Sequence, residues 1–339
     1  MAKEEKIIRR IFGSKAFMLA VLTIVVGFVI YMINHNMLAR GAIRSILIDF
    51  CVPGVMLVAI PPLLMCGSID LSAAQQAGLG SLIFAYTMQY FPAVPWYAAL
   101  VVGIAAGFIF GFITVFFVNV LNFMPFIATI GLSSVYSGLS MVWTRGNQVM
   151  VTEPMLNKIG SATVFNTIPV MLFFVIALCV VYAFILSSTR FGRSVYMVGG
   201  NPAAARLAGL NPKRVTAIML INCSVMSVVA GIVWSAQKRI ASATNLASLA
   251  PNMRALSAGV LGGVSFMGGS GGMAGAFMGL VLLQVFQMGI NILAIPSHIN
   301  VLLQGVILIV ALIMDNVSVQ RQRRAQLMAA IAAADSGAA

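Results

Sequence analysis

The stretch from Pro92 to Trp143, PAVPWYAALVVGIAAGFIFGFITVFFVNVLNFMPFIATIGLSSVYSGLSMVW, contains no charged residue. An uncharged apolar run of about 18 residues or more reads as a membrane span. This one is long enough for two, about Trp96 to Val120 and about Pro125 to Trp143. The block from Pro169 to Leu186 repeats the pattern.

Composition carries the same message across the chain. Of 339 residues, 61% are hydrophobic and 8% are charged, whereas a soluble domain carries about a quarter charged residues. No soluble surface can be built from this composition. The sequence predicts about ten helices: Ala16 to Ile33, Ser45 to Met65, Leu71 to Tyr90, the two above, Ile168 to Leu186, Val215 to Ala236, a short one from Met253 to Phe266, Met273 to Ile292 and Ile299 to Met314. Polar segments from Thr144 to Asn166 and from Gln237 to Asn252 interrupt the series. The charged start before Ala16 could mimic a signal peptide. The apolar run after it is longer than a usual signal core and no small-x-small site follows, so it is expected to be a retained helix.

Net charge is +13. The basic residues sit in short clusters between apolar blocks, with no aromatic-interleaved patch, and no nucleic-acid partner is expected. Lysine and arginine asymmetry sets membrane orientation. Placing both termini and the loop Ser187 to Arg214 inside gathers 13 of the 20 basic residues on the cytoplasmic side. Arg40, Arg44, Arg145, Lys158, Lys238, Arg239 and Arg254 are left outside. Cys51, Cys66, Cys179 and Cys223 lie in apolar segments without a CxxC and read as small buried hydrophobes. His35 and His298 are far apart in sequence, and no metal site is expected.

Backbone polar groups in hydrocarbon must be satisfied within the protein. Prolines and glycine runs inside spans therefore mark breaks that line protein or a cavity. Two such places stand out: Pro61-Pro62 followed by GSIDLS (Gly67 to Ser72), and GVLGGVSFMGGSGGMAGAFMG (Gly259 to Gly279). Broken, glycine-rich helices in two halves of a chain point to a transport path. Gly269, Gly271 and Ala274 formally match GxGxxA. No βαβ context surrounds them, so Gly275 and Gly279, one turn apart, read as close helix packing. No GxxxxGK[ST] occurs, so ATP is not bound here through a P-loop.

Polar residues inside the spans are the candidate path. Asp70 sits between two spans, with Ser72, Gln75 and Gln76 after it; it either caps the following helix or lines the path with those amides. Asp49 is a second intramembrane carboxylate, a functional candidate by type or a partner of Arg44 or Arg40. Asn222 is one of several amides within the spans. Gln284, Gln287 and Asn291 share a helix face at i, i+3, i+7. Such amides serve either interhelical hydrogen bonding or a hydrophilic path. No paired-carboxylate, Ser-His-Asp or HExxH constellation is present, so no catalytic residue is assigned.

In the loop RFGRSVYMVGGNPAAARLAGLNPKRV (Arg190 to Val215), Asn201 reads as an N-cap with Pro202 at the first helical position. Ala203, Ala204, Ala205 and Arg206 are strong helix formers, and Gly209 is a natural residue after the C-cap. A short helix outside the membrane is expected there.

These segments together resemble the membrane permease subunit of bacterial monosaccharide ABC importers, the ribose/galactose type. GSIDLSAAQQAGLG, FIATIGLSSVYSGL, the cytoplasmic loop and the Gly-rich segment each resemble that family's segments in the same order. SATNLASL is closer to the galactose/methylgalactoside branch. The resemblance implies an all-α integral membrane protein with broken Gly/Pro-rich helices and a short cytoplasmic coupling helix. It implies one permease domain over 1–318, coupling loop 187–214, and a basic, Ala-rich cytoplasmic tail at 319–339. The chain would sit in the bacterial inner membrane with both termini cytoplasmic. Partners implied are an ATP-binding subunit with two nucleotide-binding halves, docking on Asn201 to Gly209, a soluble sugar-binding protein, and a second permease copy, identical or related. ATP and magnesium would be held by the ATPase, leaving this chain without a cofactor of its own. One departure is NMRALSA, where relatives carry roughly ELDAIAA: Asn252 and Arg254 replace the acids. The competing readings are a nucleoside or branched-chain amino acid ABC permease, and an ion-gradient-driven carrier using Asp70 or Asp49.

Overall fold

The computed structural model describes residues 15–293 and isolated positions between 295 and 320. Helix α1 (Lys15–Ile33) leads through a 3-10 turn to α2 (Arg40–Leu57) and the short α3 (Ile60–Met65). Then come α4 (Ala73–Tyr90), α5 (Trp96–Val115) extended by a π turn (Phe116–Val120), and α6 (Pro125–Thr144). Strand β1 (Val149–Met150), α7 (Pro154–Ser161), strands β2 (Thr163–Val164) and β3 (Ile168–Pro169), and α8 (Val170–Ser188) follow. The loop holds α9 (Arg190–Gly200) and α10 (Pro202–Leu207). The chain continues through α11 (Pro212–Lys238), β4 (Ile240–Ala241), α12 (Ala243–Ser248), α13 (Pro251–Leu261) and α14 (Met273–Ile292).

Among the described residues, seven stretches are long and apolar enough to cross a membrane: α1, α2 with α3, α5 with its π turn, α6, α8, α11 and α14. The chain is a multi-pass, all-α membrane protein. The expected third helix is present as α4, largely buried, and its polar and glycine residues (Gln75, Gln76, Gly78, Gly80) keep it below the apolarity of a free-standing span. The expected eighth helix is α13, with 11 residues. At 1.5 Å per residue that is about 16 Å, half a bilayer core. The tenth, Ile299 to Met314, falls where only isolated positions are described. The basic residues before Lys15, His298, and Arg321, Arg323 and Arg324 of the tail lie outside the described residues.

Helix α11 is the central strut. Gly103, Gly107 and Gly111 recur every fourth residue along α5 and seat it; a Cβ at Gly107 would lie 2.9 Å from the Val225 Cα, and one at Gly111 2.8 Å from the Ile221 Cα. On its other side Gly231 meets α4, where a Cβ would come within 2.0 Å of the Ala77 carbonyl oxygen. Small residues at this spacing let backbones approach where lipid offers no hydrophobic drive. Gly275 and Gly279 act likewise between α14 and α13, their Cβ positions falling 2.0 Å from the Gly262 and 2.2 Å from the Ala258 carbonyl oxygens. Helices α1 and α8 keep apolar faces outward, including Ile24, Phe28, Val180 and Phe184. The four cysteines are buried and free.

The two polar segments meet. Val149 pairs with Ala241 and Met150 with Ile240 in a two-residue antiparallel ladder. That pairing joins chain segments some 90 positions apart, which local patterning does not show.

Candidate functional site

The loop helix is built by local capping. The Asn201 side chain accepts from the Ala203 and Ala204 N–H groups, both at 3.0 Å, and Pro202 follows it at the first helical position. At the other end Gly209 adopts φ +82°, a left-handed conformation glycine takes without a Cβ penalty. Its N–H donates to the Arg206 carbonyl, and the Leu210 N–H donates to the Ala205 carbonyl, each at 3.0 Å. This pair of bonds closes the C-terminus as a Schellman motif. Ala205 is buried, while Asn201, Pro202, Ala203, Ala204, Arg206 and Gly209 are exposed, and Leu207 is 92% exposed. The loop thus holds a short helix capped at both ends and largely exposed.

Just before it, α9 ends in Gly199-Gly200, which joins both broken segments. A Cβ at Gly199 would sit 1.9 Å from the Met65 carbonyl oxygen and 2.7 Å from the Gly269 nitrogen. A Cβ at Gly268 would fall 2.8 Å from the Gly67 Cα. The Gly269 N–H donates to the Met65 carbonyl at 2.9 Å, and the Tyr196 hydroxyl donates to the Gly271 carbonyl at 3.1 Å. Burial holds the Tyr196 phenol above its ordinary pKa, so it stays protonated and remains a donor. Gly199, three residues before the exposed helix, therefore touches the backbone of both breaks.

The break between α2 and α3 arises from Pro61 and Pro62, which have no N–H to give to the carbonyls four residues earlier. The Val58 carbonyl, left without its helical partner by Pro62, accepts instead from the Asn222 side-chain amide at 3.2 Å. The Asn222 side-chain oxygen in turn accepts a bond from the Tyr182 hydroxyl. Asn222 thus satisfies a broken backbone across helices.

Asp70 is fully enclosed, 1% exposed. One carboxylate oxygen accepts from the Ser72 N–H at 2.8 Å and the Ser72 hydroxyl at 2.5 Å; the other accepts from Gln76 Nε2 at 3.1 Å. Asp70, Ser72 and Gln76 form one buried knot at the start of α4, with Gln75 half-buried beside it. None of the four lines the cavities described next.

On the face opposite the loop lies a cavity of about 440 Å³, within the roughly 300–1,000 Å³ of small-ligand pockets. It lies at the far end of α11, whose 27 residues span about 40 Å. Its polar wall includes Asp49, Lys238, Asn245, Arg254, Gln287 and Asn291. A cavity of about 170 Å³ adjoins it through shared residues and adds Gln284. The predicted amide stripe of α14 therefore faces both: Gln287 Nε2 donates to the Asn291 side-chain oxygen at 3.1 Å, and the buried Gln284 amide nitrogen has no partner. Asp49 reads from the sequence either as a functional carboxylate or as a partner of Arg44 or Arg40. Lys238 holds it instead, at 3.8 Å, because the end of α11 reaches across to α2. Lys238 and Asn245 were not recognised as wall residues from sequence. The polar run from Gln237 to Asn252 was the available signal, but its partner segments are distant in the chain.

Comparison with known proteins follows the same lines. Residues 48–312 match the family described as "Branched-chain amino acid transport system / permease component". A probable ABC transporter permease of Sinorhizobium fredii is 30% identical over 269 residues, 79% of this chain and 78% of that one. An autoinducer 2 import system permease of Salmonella typhimurium is 30% identical over 279 residues, covering 80% and 78%. A ribose import permease of Haemophilus influenzae is 27% identical over 292 residues, covering 85% and 89%. No solved structure matches the chain. The chain belongs to this family of ABC transporter permeases.

Proposed function

We propose that this permease-family chain is the membrane subunit of an ATP-driven importer that takes a monosaccharide from a soluble binding protein and passes it across the inner membrane. The carrying observation is the capped, exposed helix Pro202–Leu207 fused to Gly199, which is wedged against both broken segments. An ATPase subunit with two nucleotide-binding halves docks on Asn201 to Gly209 and holds the ATP and magnesium, and this chain does no chemistry. Rotation of the docked helix shifts Gly199 against Met65, Gly67 and Gly269, which moves the two breaks together and alternates access. Substrate enters from the outer cavity past Gln284, Gln287 and Asn291. Asp70, Ser72, Gln75 and Gln76 shape the start of α4, and Asn222 holds the α2 break, further along the path. The relatives named for ribose and autoinducer 2 favour a hydroxyl-rich small molecule, and a wall rich in amides suits hydroxyls. A second permease copy, identical or related, completes the pore, with both termini on the cytoplasmic side.

The docking reading is tested by Gly209→Arg, placed at φ +82°, where a non-glycine residue strains the C-terminal closure. The expected outcome is loss of the co-purifying ATPase with membrane insertion unchanged. A variant that still assembles and transports normally contradicts it.

A further inference from the structure

We infer that the outer cavity selects a substrate bearing an anionic group beside its hydroxyls, a sugar acid rather than a neutral sugar, with Arg254 as the counter-charge. This rests on the importer reading above and names the substrate class within it.

Three charged side chains line the cavity: Asp49, Lys238 and Arg254. The single carboxylate is already engaged, since Lys238 Nζ lies 3.8 Å from Asp49 Oδ1. That is the one ion pair among the described residues, and it leaves the wall with one excess positive charge. Arg254 is half-buried, also feels the charge of Asp49, and has a buried Nε with no hydrogen-bond partner. Asp49 is thus shared between two cations, and ionisable groups at membrane depth mark substrate paths. Guanidinium is also the group best shaped for the task. Its planar fork meets a carboxylate at two points, which a lysine ammonium cannot do.

The remaining wall suits the rest of such a molecule. Asn245, Gln287 and Asn291 offer donors and acceptors for ring hydroxyls, and the buried Trp234 also lines the cavity. A neutral sugar would satisfy the amides and leave the excess positive charge of the wall unbalanced. A sugar acid satisfies both. Lys238 is the less suited counter-charge, because its side chain is 45% exposed and its charge is screened by solvent.

The test uses the full-length chain in lipid nanodiscs with its co-purifying subunits. D-galactose, D-glucose and D-ribose are titrated beside D-galacturonate, D-glucuronate and D-ribonate at matched ionic strength. The readouts are tryptophan fluorescence, since Trp234 lines the cavity, and thermal midpoint. At least one acid is expected to bind saturably, and about tenfold or more tighter than its neutral counterpart, as a charge-assisted bidentate contact allows. Arg254→Gln should erase that preference, and Arg254→Lys should keep part of it. Equal binding of neutral sugars, no saturable binding by either set, or an acid preference that survives Arg254→Gln overturns the inference. The same preparations are scored for the ATPase. Neutral-sugar binding with the ATPase present removes the sugar-acid class and leaves the importer standing, whereas an absent ATPase removes the importer reading whatever the sugars do.

Discussion

Asn222 shows how one residue carries a helix break through a membrane. Its amide takes over the Val58 carbonyl that Pro62 leaves without a helical donor. Asn222→Leu restores apolarity but strands that carbonyl. A buried unsatisfied group costs about 1–3 kcal/mol, so the purified variant should melt earlier than the parent, and an unchanged midpoint would show that the carbonyl finds another donor. Asp70 separates two transport mechanisms. Its carboxylate is occupied by Ser72 and Gln76, and asparagine keeps one acceptor oxygen for the Ser72 N–H. Asp70→Asn is therefore expected to retain ATP-driven uptake, whereas loss of gradient-driven uptake in the same variant would identify a coupling carboxylate and a carrier. At this scale the sequence was informative where the chemistry is local. Asp70 with Ser72 and Gln76 could be grouped by spacing. Arg254 could be singled out as unusual, yet its place in a cavity wall with Asp49 could not, because α2, α11 and α13 converge only through tertiary packing.

Elements succeed or fail on backbone proximity. Helices α13 and α14 touch through Gly275 and Gly279, where a Cβ has no room before the Gly262 and Ala258 carbonyls. Gly275→Leu forces those backbones apart. Overpacking of this kind costs about 1–3 kcal/mol, and a thermal midpoint equal to the parent's would contradict the close approach. Gly199→Ala probes the junction between loop and breaks. Its Cβ would collide with the Met65 carbonyl at 1.9 Å, so ATP-driven uptake should fall steeply while the exposed helix still captures the ATPase. Uptake at the parent's rate would show that the junction does not transmit motion. The loop helix was legible because its caps are sequence-local: Asn201-Pro202 at one end and Gly209 at the other. The end of α13 was less so: it stops at Leu261, five residues before the expected Phe266. A charge-free window does not distinguish a full crossing from a half-span helix whose polar end is closed by other protein segments, and the glycines that make this possible act on partners far along the chain.

For the whole molecule, composition and charge decided the class: 61% hydrophobic residues leave no soluble alternative. The long-range arrangement came only with the structure, above all the meeting of β1 with β4 and of Gly199 with Gly67 and Gly268. Together these place a capped, exposed helix on one face and a charged cavity on the other, joined through α11 and the two broken segments. Membership of the ABC permease family implies an ATPase partner, and the proposed reading requires that partner on the loop face. Isolation of the chain from its native membranes in mild detergent, with quantitative mass spectrometry of what accompanies it, tests that requirement most directly. The account predicts an ATP-binding subunit in near-equal amount. An intact chain that brings down no ATPase under any detergent condition would contradict it and leave a gradient-driven carrier in its place.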